Sequence, residues 1–347
     1  MGDAFETVVA ENRRLRKELK ELQGQIAAHR SSRWWRMHPR FAVGRLLGRT
    51  HAPSSPAGET PERTSSRVVR AARSWRLKIE HEERNAGCPA DEIVLRSGLR
   101  LNIHPDSRYS FEEFCYRSPE QVDELDAFVA ESADKRRLLD VGAKDGLFSL
   151  VFAAPDPTKE ALAVDASPVA FARLLYNMHR NDGARIVAAE CALSAEAGFL
   201  EMHYDWEHAV AGAGPPGARL LRVESRTGDS LCAAHSFAPD VIKIDVEGHE
   251  VQVVRGLRET IRRQSPLLFL EVHPLMISRD EQNGRVVELI DTLVELGYPT
   301  AEIRGRIAPT EELGNLREIE RLILRPGANL EPRSPNARPE AASPVAG

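Results

Sequence analysis

A chain of 347 residues, 42% hydrophobic and 29% charged, can bury one large core or two smaller ones and has the composition of an ordinary soluble protein. No apolar run approaches the ~20 residues of a membrane helix, and no basic-then-apolar opening marks a secretory signal. The 4 scattered cysteines lack metal spacing, which predicts free thiols in a reducing, cytoplasmic compartment. The net charge of −5 is unevenly spread: residues 1–50 carry 11 Lys and Arg against 5 Asp and Glu, a net of +6, leaving −11 for the rest.

The first segment, residues 3–29, has heptad spacing. Phe5, Val8, Asn12, Leu15, Leu19, Leu22 and Ile26 alternate steps of three and four, with Asn12 at an a position and Leu15 and Leu22 at d. Glu11 and Arg16 fall at g and the following e, which suits a pair between chains. A coiled-coil homodimer, or pairing with another pathway enzyme, is expected; a single amphipathic helix packed on its own body is the alternative. Residues 30–50 hold six Arg and no acid, with Trp34, Trp35 and Phe41 among them. That suits peripheral contact with an anionic inner membrane face or a protein partner. No nucleic-acid partner is expected, since no binding module surrounds the patch. Residues 51–67 read as a Pro/Ser linker, and residues 326–347 as a disordered tail.

Residues 68–136 read as a cap region. A charged helix over 68–85 leads to a hairpin from Glu92–Leu95 and Leu99–Ile103 through Ser97-Gly98. Helices follow over Phe111–Arg117 and Glu120–Glu131, and the stretch Asp106–Tyr116 either caps a site or simply packs. An α/β rhythm then begins. Strands are expected at 137–142, 161–165, 185–190, 240–245, 267–273, 299–304 and 320–325, and helices at 147–153, 168–181, 250–263 and 282–297. Residues 198–204 and 219–226 read as extra strands, with a flexible loop at Gly212–Gly217 between them. Alternating strands and helices predict a sheet covered on both faces.

Leu138–Gly146, Leu-Leu-Asp-Val-Gly-Ala-Lys-Asp-Gly, reads as strand, tight turn and helix start. Asp165 closes the next strand, where an acid suits ribose hydroxyls. Lys144 stands where a dinucleotide motif has its middle glycine, the residue that admits a pyrophosphate. The G-x-x-x-G form with Asp140 upstream better suits S-adenosylmethionine, with Asp140 toward its ammonium and Asp165 toward its ribose. Gly142, Ala143, Lys144, Gly146 and Ala166 would line the cofactor, and Cys191 and Ala192 would border the adenine. An NAD-dependent oxidoreductase and a non-catalytic coiled-coil scaffold are the rival readings.

Two later strand ends carry polar residues. Lys243 and Asp245 share one face of the strand at 240–245, and Glu271 and His273 one face of the strand at 267–273. Lys243, inside an apolar strand, needs an acidic partner. His273 would be a general base titrating near neutrality, with Glu271 or Asp245 fixing its tautomer. Asp245, Glu271 and His273 could instead hold Mg or Mn, but the metal-free route is favoured. Glu247 and Glu250 suit a helix N-terminus.

Ile242–Glu250 with Glu271-Val272-His273, together with Leu139–Gly146, Ala192-Leu193-Ser194 and Thr227–Leu231, resembles the FkbM family of S-adenosylmethionine-dependent methyltransferases. Lys144 stands where the family usually has Asn, Gly228 where it has Leu, and Asp165 where it has Glu-Pro. The resemblance implies a class I Rossmann-like α/β fold over 137–325 with a mostly parallel seven-stranded sheet. It also implies O-methylation of a hydroxyl, on a sugar, glycolipid or other secondary metabolite. Ser31–Arg36 is similar to leaders of surface polysaccharide enzymes, which leans the acceptor toward a glycan.

Overall fold

A computed structural model describes residues 61–205, 208–212, 220–277 and 284–327. The expected coiled coil, the Trp/Arg segment, residues 51–60 of the linker, most of the Gly212–Gly217 loop and the tail from 328 lie outside the described residues. The chain divides into two units, Met1–Val69 and Arg70–Gly347, and the α/β architecture belongs to the second. Helix α1, Pro61–Arg84, crosses that division and starts inside the segment read as linker. No helix among the described residues is long and apolar enough to cross a membrane.

Strands β1, Glu92–Val94, and β2, Arg100–Asn102, form the expected antiparallel hairpin. Asn85, just beyond α1, holds β1 as another strand would, accepting from Val94 N at 2.8 Å and donating to Val94 O at 3.0 Å. Helix α2, Arg108–Glu112, continues as a π-helical turn over Glu113–Arg117. Helix α3, Pro119–Glu131, starts with Ser118 as N-cap and a proline in its first turn, a combination that satisfies one orphan N–H and removes another.

The α/β rhythm then runs as read: β3 Arg137–Val141, α4 Leu147–Ala153, β4 Glu160–Asp165, α5 Pro168–Arg180 and β5 Arg185–Glu190. A separate four-stranded sheet interrupts it, from β6 Ala192–Leu193, β7 Gly198–Asp205, β8 His208–Ala211 and β9 Leu220–Arg226, in the order β6-β9-β7-β8. The chain returns through α6 Gly228–Ala234, β10 Val241–Ile244, α7 Glu250–Gly256, α8 Arg258–Gln264, β11 Leu267–Val272, α9 Pro274–Ile277 and α10 Val286–Glu295. It closes with β12 Thr300–Ile303, β13 Arg306–Pro309 and β14 Glu320–Leu324.

The main sheet has the order β13-β12-β14-β11-β10-β3-β4-β5. All seven expected strands are in it, but it is eight-stranded and mixed: β13 adds a hairpin to β12, and β14, β12 and β13 run antiparallel. The helix expected over 250–263 is two helices. Asp229 breaks it, accepting from Glu259 N and Thr260 N at 3.1 and 2.7 Å and so capping α8. A side chain at Gly228 would collide with Leu257 at the break.

Apolar residues cover both faces of the parallel strands, as burial on two sides requires. Leu139, Val141, Ile242 and Ile244 join Val254, Leu257 and Leu293 on one face. Leu138, Phe148, Phe128, Phe111 and Phe269 pack on the other with the cap region. The cap is tied down by polar bonds as well. Asn177 of α5 accepts from His104 N at 2.6 Å and donates to Asp145 O at 2.7 Å.

Chain order reverses between β3 and β10, the switch point at which open α/β sheets bind ligands. There Gly142, at φ +78°, lies so close to the Asp245 carbonyl that a Cβ would overlap it. Gly142→Ala is therefore expected to destabilise the protein by about 2–4 kcal/mol, read as a lower urea midpoint. An unchanged midpoint would show that the two strand ends can separate freely.

Candidate active site at the strand ends

The turn after β3 hangs on β4. Gly142 N and Ala143 N both donate to Val164 O, at 2.9 and 3.0 Å. Lys144 N donates to Asp165 Oδ2 at 2.7 Å, and Ser167 N to Asp165 Oδ1 at 2.8 Å. Burial pushes the Asp165 carboxyl up to about 6 against those two backbone bonds. Lys144 itself is left-handed, at φ +50°.

Asp140 lies under this turn rather than on its open side. It is 1% exposed, and its Oδ2 accepts from Ser149 N and Oγ at 3.1 and 2.7 Å, anchoring the first turn of α4. Burial holds its carboxyl above the usual range, with Lys243 opposing. Cys191 also turns inward. It belongs to the main core, with burial pushing its thiol up to about 11, and Ala192 packs on Met202 and Val223 of the small sheet. Both still stand at the end of β5, beside the strand that ends in Asp165.

A ladder of charge runs along the sheet face beneath α3 and α4. Lys243 is paired in register with Asp140 across β10 and β3. Its Nζ lies 3.2 Å from Asp245 Oδ2, 4.0 Å from Glu124 Oε1 and 4.4 Å from the centre of the Phe148 ring. Burial alone would lower its pKa, but the Asp245, Glu124 and Asp140 carboxylates raise it, so it stays an ammonium. Arg321 completes the ladder, at 2.6 Å from Glu124 and 2.7 Å from Glu271. Burial, Asp245 and Glu124 hold the Glu271 carboxyl well above its ordinary value, with Arg321 opposing.

His273 does not have the environment expected of it. Its Nδ1 lies 2.7 Å from Glu250 Oε1, so Glu250, and neither Glu271 nor Asp245, fixes the ring. Its Nε2 faces Glu247 Oε2 at 3.5 Å and Glu271 Oε1 at 3.8 Å. Burial pulls its pKa down, but the Glu250 bond and the charges of Asp245 and Glu247 raise it to about 10. In this cluster the imidazole carries a proton at neutral pH, which corrects the expectation of a base titrating near 7. The expected metal trio changes too. Asp245, Glu247 and His273 each bring a ligand atom within 4.8 Å of the others, whereas Glu271 is committed to Arg321. Glu250 opens α7, at a helix N-terminus as expected; fully buried, it also accepts from Gly248 N and His273.

Glu124, Arg321 and Asp145 escaped the sequence reading. Gln121, Glu124, Leu125 and Phe128 form one helical stripe, so an acid on the buried face was a visible signal. Arg321 sits in register with Glu271 and shares a face with Ile323, again a charge in an apolar register. Asp145, 2% exposed, meets Arg173 at 2.8 Å and Ser110 Oγ at 2.6 Å, joining cap and turn.

A glycine turn and acidic strand ends at the switch point of an α/β sheet define a ligand-binding domain of the doubly wound type. Residues 140–300 match the family model described as Methyltransferase FkbM domain, so this segment of the chain is similar to that domain. Methyltransferase sdnD of Sordaria araneosa is 30% identical, over 35% of this chain and 60% of its own. Hexuronic acid methyltransferase AglP of Haloferax volcanii is 24% identical, over 44% of this chain and 62% of its own. The matches span about 60% of the length of these relatives. Among solved structures, methyltransferase FkbM from Methylobacillus flagellatus aligns with a TM-score of 0.39 at 16% identity, covering 75% of this chain and 60% of that one.

Lys243→Met would leave Asp245, Glu124 and Asp140 facing one another without their cation. A loss of about 3–5 kcal/mol is expected, the scale for breaking a buried ion pair from one side, measured by denaturant unfolding. Adding Asp245→Asn should return part of it; a Lys243→Met protein as stable as wild type would mean the ladder contributes nothing.

Proposed function

We propose that this protein transfers the methyl group of S-adenosylmethionine to a hydroxyl oxygen of a sugar-like acceptor. The observation that carries the reading is that the FkbM-matching segment contains both halves of the site, the glycine turn with Asp165 and the acidic ends of β10 and β11. The name of AglP, a hexuronic acid methyltransferase, supports a sugar acceptor.

S-adenosylmethionine supplies an electrophilic methyl group on a sulfonium. The chain supplies position and proton handling. Backbone groups of residues 142–146 line the cofactor, Asp165 accepts from its ribose hydroxyls, and the backbone at Cys191-Ala192 borders the adenine. Asp245, at the end of β10 with its carbonyl beside Gly142, would stand between cofactor and acceptor. The carboxylates of Asp245 and Glu247 would take up the proton of the acceptor hydroxyl as it is methylated. Alignment of the two reactants is the larger contribution, because the sulfonium is already reactive. The heptads of residues 3–29 are proposed to pair two chains, and residues 30–50 to meet a membrane surface or partner.

Calorimetry with S-adenosylmethionine, with NAD as control, tests the reading. Binding of the first alone is expected, weakened roughly 10- to 100-fold in Asp165→Asn through lost ribose hydrogen bonds. No binding of S-adenosylmethionine by the folded protein would overturn it.

The pKa of Asp165 gives a second test. Because it is raised to about 6, the folded protein holds a proton that an unfolded chain loses nearer 3.9. Asp165 therefore favours folding less as pH rises through that window. Below about 6 it is neutral and accepts hydrogen bonds less well. Cofactor affinity should fall from pH 7.5 to 5 in wild type and stay flat in Asp165→Asn; equal slopes would remove Asp165 from the ribose.

A further inference from the structure

The glycine turn is built from residues in costly conformations and is held from two sides. Gly142, Lys144 and Gly146 have φ of +78°, +50° and +85°. A turn with that much left-handed backbone keeps its shape only where its surroundings fix it. β4 is one holder, through Val164 O and the Asp165 carboxylate. The other is the corner between the cap and α5, and Asp145 is the residue that meets it.

Asp145 stands between the left-handed residues Lys144 and Gly146, and both of its carboxylate oxygens are engaged outside the turn. Oδ1 lies 2.8 Å from Arg173 Nε. Oδ2 accepts from Ser110 Oγ at 2.6 Å, a short, charge-assisted bond. Its carbonyl accepts from Asn177 Nδ2 at 2.7 Å. A Cβ at Gly146 would collide with Leu174, so α5 presses directly on the end of the turn. These partners are themselves fixed. Arg173, Leu174 and Asn177 lie on the buried face of α5, and Asn177 also accepts from His104 N in the cap at 2.6 Å. Ser110 is followed by Phe111, which is fully buried in the aromatic core that includes Phe128 and Phe148. Asp145, 2% exposed, has no open face to offer a ligand, so any effect it has on binding acts through the turn.

We propose that Asp145, braced by Ser110 and Arg173, is a positioning residue for the cofactor: it holds residues 142–146 in the conformation that receives S-adenosylmethionine, so that the cap sets cofactor affinity through the turn. The identity of the cofactor rests on the methyl-transfer reading; the bracing of the turn does not. A ligand that binds only the held turn has its affinity reduced by the fraction of chains in which the turn is held. Bonds made before the ligand arrives keep that fraction near one. Cutting the brace lowers it, although no bond to the ligand is removed.

Calorimetry with S-adenosylmethionine and amide hydrogen exchange of the turn, both on the full chain, test it. Ser110→Ala is the mildest cut. It is expected to weaken S-adenosylmethionine roughly 3- to 10-fold. It should also speed exchange about 10-fold at the amides of Lys144 and Gly146, which donate to Asp165 and Ala143. Ser110→Thr, which keeps the hydroxyl, should restore both. Asp145→Asn should do at least as much as Ser110→Ala, and the double variant no more than Asp145→Asn alone, because Ser110 acts through Asp145. Asp229→Ala, which removes the cap of α8, should lower the urea midpoint and leave both readouts at their wild-type values. A merely structural role would make Ser110→Ala behave the same way. Circular dichroism checks that each variant is folded. Unchanged exchange at the turn in Ser110→Ala overturns the proposal, and so does unchanged affinity where the wild type binds the cofactor. Faster exchange in a protein that never binds S-adenosylmethionine keeps the brace and removes the methyltransferase.

Discussion

Burying the Lys243 ammonium in the middle of a parallel sheet costs several kcal/mol unless opposite charge is returned to it in good geometry. That requirement organises this half of the molecule. Asp140 answers it from β3, Asp245 from the end of β10 and Glu124 from α3. Glu124 then needs Arg321 of β14, which needs Glu271 of β11. Each charge added to satisfy the last one recruits another element, and the chain of demands ends at the strand ends where ligands bind. The cap helix α3 is for this reason part of the site, tethered to it by Glu124 as well as by Phe128 against Phe148 and Phe269.

A second constraint joins the two halves of the site. Gly142 and the Asp245 carbonyl are nearly in contact, so the glycine turn and the end of β10 are one rigid corner. His249 carries the connection on, its Nε2 3.1 Å from Ser194 Oγ beyond β6. Glu250, the next residue, holds His273. The run from Asp245 to Glu250 thus has three separate contacts in six residues, with the glycine turn, the small sheet and β11. Its density of polar residues follows from geometry before any chemistry is considered.

Periodicity made most of the framework legible. The seven strands and the hairpin were found because alternation and apolar runs persist over several residues, as at Ile93 and Leu101 or Leu267–Leu270. β13 was missed because Arg306–Pro309 is a short edge strand with exposed residues, which carries little hydrophobic pattern. The split at Leu257 was missed because Val251–Ile261 keeps a helical apolar stripe through the break; only Asp229, far away in sequence, makes it. The site was legible as a set of residues and not as a set of partnerships. Asp245, Glu271 and His273 do gather, but which carboxylate meets the imidazole depends on how α7 leaves β10. Glu250 bonds the ring where Glu271 was expected to, and together with the charges of Asp245 and Glu247 it raises the His273 pKa. No spacing rule along the chain contains that choice.

The departures from the family pattern are absorbed locally. The turn after β3 needs a left-handed residue at 144, a conformation that Asn enters more easily than other side chains because it can bond to its own backbone. Lys144 has no such bond to make, yet it sits at φ +50°, at a cost of about 1–2 kcal/mol. Its N–H is held instead by Asp165 Oδ2 at 2.7 Å. Asp165 is itself the second departure, a carboxylate one methylene shorter than Glu, whose other oxygen accepts from Ser167 two residues on. The backbone N–H of residue 144 thereby ties the turn after β3 to the end of β4. The third, Gly228, opens the space that Leu257 fills between α7 and α8.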